Sequence, residues 1–187
     1  MSDYEDYSAL IKFLNADDAS RHMRRKHRLP AECYSLSDCE YFFTLCARHQ
    51  ETPFRDVELS EAVVNSLLWR QQRHRWKLYA LCLMPDHLHF LLSLESHELC
   101  YVNGGARGIL HEGILNQVAG FKSFTTTQVW WKQGGKGPLW QRSSYDRVIR
   151  YNQSIQYAAA YILDNPVRKG IVKQWQDYSY SRIVDCW

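Results

Sequence analysis

The chain has 187 residues, 45% hydrophobic, 23% charged and 14% aromatic, with a formal net charge of +3. That length suits one well-buried domain with an appendage, and the composition excludes a disordered chain, a collagen-like repeat and a coiled coil. No apolar run approaches the ~20 residues of a membrane span, and the opening MSDYEDYSALIKF lacks a basic-then-apolar leader, so a cytoplasmic location without a membrane partner is expected.

Residues 1–39 read as an N-terminal segment ahead of a single domain over 40–187. Asp3, Glu5, Asp6, Asp17 and Asp18 face only Lys12, so the chain begins acidic. SRHMRRKHRLP follows, and its Arg24, Arg25, Lys26 and Arg28 suit contact with phosphates or, alternatively, form a solvated tail. The six cysteines, Cys33, Cys39, Cys46, Cys82, Cys100 and Cys186, include no C-x-x-C pair, and read as reduced thiols rather than a disulfide framework or zinc site.

The first core element is the strand YFFTLCA, and ETPF breaks the chain after it. Leu59, Val63, Val64, Leu67 and Leu68 form a helical stripe beginning near Ser60. Trp76 to Leu83 is a second strand, Pro85-Asp86 a tight turn, and His87 to Leu94 a third strand. In that third strand His87, His89 and Leu91 share one face, with Leu88, Phe90 and Leu92 on the other. LESHELCYVNGGARG reads as a long loop or insertion. A helix fits Ile114 to about Val129, and a fourth strand runs from Leu139-Trp140 to Val148-Ile149. Asn152-Gln153-Ser154 can cap a third helix to about Asp164, which Pro166 and Gly170 help to stop. The order β-α-β-β-α-β-α contains the ferredoxin-like split pattern, so the expected fold is α+β: an antiparallel, RRM-like sheet with packed helices.

Two stretches carry the chemistry. In Met84-Pro85-Asp86-His87-Leu88-His89, the imidazoles at i and i+2 project from one strand face and can hold one metal ion. In Tyr161-Ile162-Leu163-Asp164-Asn165, a phenol and an amide lie one helical turn apart. If the two faces meet, the site has two nitrogen ligands, an oxygen ligand and a nucleophile that can attack a phosphodiester. Tyr145 is a rival nucleophile, although strand packing is its expected role, and Asp86 is expected to shape the turn rather than bind metal. Lys122 and Arg142 are candidate phosphate contacts. Trp130, Trp131 and Trp140 either stack unpaired bases or pack in the core.

The combination resembles the REP-associated tyrosine transposases, a group of single-tyrosine HUH transposases. The matching stretches come in the family's order: RRKHRLP, YFFTLCAR, LYALCLMPDHLHFLLSL, FKSFT, LWQRSSYDRVIR, AYILDNPVRKGIV and WQDYSYSRI. MPDHLH fits the pattern M-P-x-H-x-H, and YILDNPVRKG fits Y-I-x-x-N-P-V-x-x-G. The resemblance implies that His87 and His89 bind the metal, that Asn165 is the third ligand, and that Tyr161 is the nucleophile. It implies Mg²⁺ or Mn²⁺ as cofactor, and single-stranded DNA with imperfect hairpins as partner, cleaved and rejoined by a monomer or homodimer. Leu163-Asp164 inside the tyrosine motif and the long segment from Glu98 to Gly113 depart from the family pattern. A nucleic-acid-binding regulator without turnover is the alternative, and a water-using metal hydrolase a third. The intact set of His87, His89 and Tyr161 favours cleavage over both.

Overall fold

A computed structural model describes residues 39–48, 51–74, 76–94, 101–102, 105–106, 113–134, 137–149 and 155–185. The basic arm with Arg24, Arg25, Lys26 and Arg28 lies outside them, as do Cys33, Cys100 and Cys186. In chain order the elements are β1 (Glu40–Cys46), α1 (Val57–His74), β2 (Trp76–Met84), β3 (His87–Leu94), the two-residue strands β4 (Tyr101–Val102) and β5 (Gly105–Ala106), α2 (Ile114–Gln133), β6 (Tyr145–Ile149), α3 (Ile155–Leu163), α4 (Asn165–Arg168) and β7 (Ser181–Ile183).

Alternation along β1 decides which side of the sheet becomes which. Tyr41, Phe43 and Leu45 are fully buried, while Phe42, Thr44 and Cys46 between them are half-buried on the opposite face. The large sheet is antiparallel throughout, in the order β6-β1-β3-β2-β7. With β6 as the fourth strand of the split unit, this is the expected ferredoxin-like arrangement, and β7 adds an edge beyond β2. β3 is therefore the central strand.

The helices α1 and α2 cover one face, where Val63, Leu67, Val118 and Phe121 meet Tyr41, Phe43, Leu88, Phe90 and Leu92. Phe90 stacks on Phe43 with ring centres 5.2 Å apart. On the other face α3 lays Ala158, Ala159 and Ile162 over Tyr79, Ala80, Cys82, Met84, Leu91 and Ile149. A register shift between Leu78 and Ala80 makes this second core possible. Tyr79 and Ala80 both turn toward α3, whereas Leu78 and Leu81 on either side belong to the first core. Burial pushes the Cys82 thiol up to about 12, and Cys39, Cys46 and Cys82 are all free thiols.

Several boundaries depart from expectation for local reasons. Helix α1 starts at Val57, because the Asp56 carboxylate accepts the Leu59 N–H at 2.8 Å and caps it. Helix α2 runs on to Gln133. The fourth strand is shorter than expected: Trp140 makes only an isolated bridge to Ala47, and the ladder resumes at Tyr145. Between them the Lys122 ammonium donates to the Gln141 and Arg142 carbonyls at 2.6 and 3.0 Å, drawing this backbone toward α2. Pro166 does not end the helical run. Asp164 stays in the right-handed helical region, and Arg168 N–H donates to its carbonyl at 2.9 Å. Pro166 sits in the first turn of α4, where its missing N–H costs nothing. The stop comes at Gly170, with φ +69°, where Ile171 N–H returns to the Pro166 carbonyl and Gly170 N–H to that of Val167. Strand β7 had no sequence signal. Among the described residues no helix is long and apolar enough to cross a membrane.

Candidate active site

The two histidines sit on the central strand, facing α3. His89 lies between Thr44 of β1 and Cys82 of β2, and His87 between Cys46 and Met84. Their ring centres are 4.6 Å apart and the rings nearly perpendicular. Each ring has its Nδ1 engaged. His87 Nδ1 lies 2.6 Å from Asp86 Oδ1, and His89 Nδ1 lies 2.8 Å from Thr44 Oγ1. With Nδ1–H donating to the carboxylate or hydroxyl, each ring keeps its Nε2 lone pair for a ligand. Burial first, then the neighbouring His87 and Arg168, hold the His89 pKa well below the ordinary 6.5. The ring is thus neutral near pH 7, the protonation state in which imidazole binds a metal.

Helix α3 brings Tyr161 to this face because Ala158, Ala159 and Ile162 beside it pack on the sheet. The phenol is 40% exposed. Its ring meets His89 edge-on at 6.2 Å and Phe42 at 6.0 Å, and Phe42 also touches the His89 ring at 5.5 Å. The Arg168 guanidinium carbon lies 4.0 Å from the centre of the Tyr161 ring. Asp164, buried between them in sequence, has Oδ2 3.8 Å from Arg168 Nε.

The structure therefore brings His87, His89 and Tyr161 together as the sequence suggested. Asn165 is buried one turn beyond Tyr161, and the described contacts do not include one between its side chain and the histidines. No group of three His, Cys, Asp or Glu side chains suited to a metal occurs among the described residues. Tyr145 is not a packing residue: it is 68% exposed on edge strand β6, opposite Thr44 and so on the histidine face. Asp86 does more than shape the turn, since its carboxylate holds His87. Lys122 is engaged by the Gln141 and Arg142 carbonyls, and Arg142 is exposed beside it. Both line a cleft of about 460 Å³ with Ser123, Thr126 and Trp140. Trp140 belongs to the core, its indole N–H donating to Thr125 Oγ1 at 2.8 Å, whereas Trp131 is 84% exposed. Thr44, Phe42 and Arg168 went unnoticed in the sequence. Arg168 lies seven residues after Tyr161, a two-turn spacing that puts both on one side of a helix.

No protein-family model matches the chain. In sequence it is similar to a REP-associated tyrosine transposase of Haemophilus influenzae, 24% identical over 142 residues, which are 75% of this chain and 77% of that protein. In fold it is similar to a REP-associated tyrosine transposase solved bound to a REP hairpin, with a TM-score of 0.60 and 19% identity over 85% of this chain and 82% of that one. A Deinococcus radiodurans protein described as a transposase aligns over 83% of this chain at 18% identity, with a TM-score of 0.44. The resemblance read from the two motifs is thus met in both sequence and fold.

Proposed function

We propose that this chain is a REP-associated tyrosine transposase, which cuts and rejoins single-stranded DNA beside imperfect hairpins. The observation that carries the reading is the exposed Tyr161 phenol packed on the His89 ring, which shares a strand face with His87. A relative solved with a REP hairpin supports the choice of DNA partner.

The chain's residues fit a divalent cation, Mg²⁺ or Mn²⁺. Two imidazoles have their Nδ1 atoms held by Asp86 and Thr44, and Nε2 directed by default to a ligand. His87 and His89, with Asn165 as the candidate oxygen donor, would hold it, and a mixed nitrogen–oxygen shell leans toward Mn²⁺. When bound, such an ion polarises the scissile phosphate and eases departure of the sugar oxygen.

Tyr161 Oη attacks phosphorus and gives up its proton to solvent. A Tyr161 O–P bond forms as the bond from phosphorus to the 3′ oxygen breaks, and that oxygen leaves as a 3′ hydroxyl after taking up a proton. The 5′ phosphate stays on the tyrosine, which conserves the bond energy, so a 3′ hydroxyl can reverse the step without ATP. Phe42 and Arg168 both contact the phenol ring. Burial of His89 keeps water from one side of the site.

The test is incubation of the protein with hairpin-bearing single-stranded DNA and Mn²⁺, followed by a denaturing gel. A covalent adduct is expected from the wild type and from Tyr145→Phe, and none from Tyr161→Phe, which removes one oxygen. An adduct that survives Tyr161→Phe and vanishes in Tyr145→Phe moves the nucleophile to β6. Hairpin binding with no adduct from any of these proteins turns the reading to a non-catalytic regulator.

A further inference from the structure

Among the residues around Tyr161, Arg168 combines charge and position without a chemical role in the step above. The short helix α4 carries it back over the phenol, with its guanidinium carbon 4.0 Å from the ring centre. A guanidinium at that distance is held by the ring's electron-rich face, and its fixed planar fork suits the oxygens of a phosphate. The buried Asp164 carboxylate, 3.8 Å from Arg168 Nε, draws the charge toward the helix side of the site. Arg168 therefore stands between the phenol and Asp164, and its side chain is 26% exposed.

Attack on a phosphodiester builds negative charge on the two non-bridging oxygens. A fixed cation beside the attacking atom stabilises that charge more than it stabilises the ground state. A bidentate guanidinium also fixes the direction of the phosphate, which a lysine does only as a point charge.

We propose that Arg168 is the phosphate-binding residue of this site: its guanidinium holds the non-bridging oxygens of the scissile phosphodiester while its face keeps the Tyr161 ring aligned. The proposal rests on the transposase reading for the identity of its substrate, and two measurements separate the fates of the two. In a Tyr161→Phe background, where no covalent step occurs, binding of a hairpin-bearing single-stranded oligonucleotide is measured across a range of salt. Adding Arg168→Gln is expected to reduce the slope of log affinity against log salt by ~0.7, one phosphate contact on a single strand, and Arg168→Lys to preserve it. An unchanged slope with Arg168→Gln overturns the proposal. With Tyr161 present, Arg168→Lys is expected to form the adduct about a hundredfold more slowly at an unchanged melting temperature. Wild-type rates from Arg168→Lys overturn the alignment by the planar fork. If Arg168→Gln fails to fold, the slope is read from Arg168→Met, which keeps the bulk of the stem without the charge. A reduced slope with no adduct from the wild type keeps the phosphate site and removes the transposase reading.

Discussion

Thr44 is a hydroxyl on one strand whose partner is an imidazole on the next, and its loss isolates that contribution. Thr44→Val preserves shape and strand propensity but removes the group 2.8 Å from His89 Nδ1. Loss of such an outer-shell partner lowers metal affinity by about 10–100-fold, so adduct formation should need correspondingly more Mn²⁺ and recover at saturation. An unchanged Mn²⁺ midpoint would remove Thr44 from the site. His89 supplies a second expectation. Its ring is neutral in the folded metal-free protein, well below its ordinary pKa, while in the unfolded chain it takes up a proton near about pH 6.5. Below that pH the unfolded state binds more protons, so stability falls as pH falls. The melting temperature of the metal-free protein should drop between about pH 7 and pH 5, and drop less in His89→Gln. At this scale His87, His89 and Tyr161 were legible because strand alternation and motif spacing are local. Thr44 was not, because its partner depends on cross-strand register, which is non-local; Arg168 lay within reach of local spacing, two turns from Tyr161, but across the break between α3 and α4.

Helix α3 shows how an element joins stability to chemistry. Ile162, the residue after Tyr161, is fully buried against the sheet. Ile162→Ala should cost about 2–5 kcal/mol in urea unfolding and, on the proposed function, also slow adduct formation, since the loosened helix carries Tyr161. Phe90→Ala, on the opposite core, should cost about 3–5 kcal/mol yet leave the adduct rate near wild type wherever the protein remains folded. Equal effects of the two variants on the adduct rate would deny α3 its positioning role. The bounds of β3 could be read from its sequence because Leu88, Phe90, Leu92 and Leu94 alternate with the more polar set of His87, His89, Leu91 and Ser93. The start of β6 could not, because the Lys122 ammonium captures two carbonyls that would otherwise continue the ladder. Three-residue β7 is too short for any periodicity, and its place depends on the free edge of β2.

Over the whole molecule the ferredoxin-like order was legible as an alternation of elements, whereas the second core depends on the irregularity at Tyr79, which no composition rule announces. Electrostatics at this scale gives one more expectation for the arm. Replacing Arg24, Arg25, Lys26 and Arg28 with neutral residues should weaken hairpin binding and flatten its salt dependence, by ~0.7–0.9 in slope for each lost phosphate contact. A slope that does not change returns the arm to a solvated tail. The order of parts along the chain has a genetic corollary. Both histidines and four of the five strands of the large sheet precede α3, which brings the phenol and the cover for Tyr79, Met84, Leu91 and Ile149 together. A reading frame broken between β6 and α3 therefore yields a chain that keeps the histidines but leaves that apolar face bare, a surface that drives aggregation and clearance.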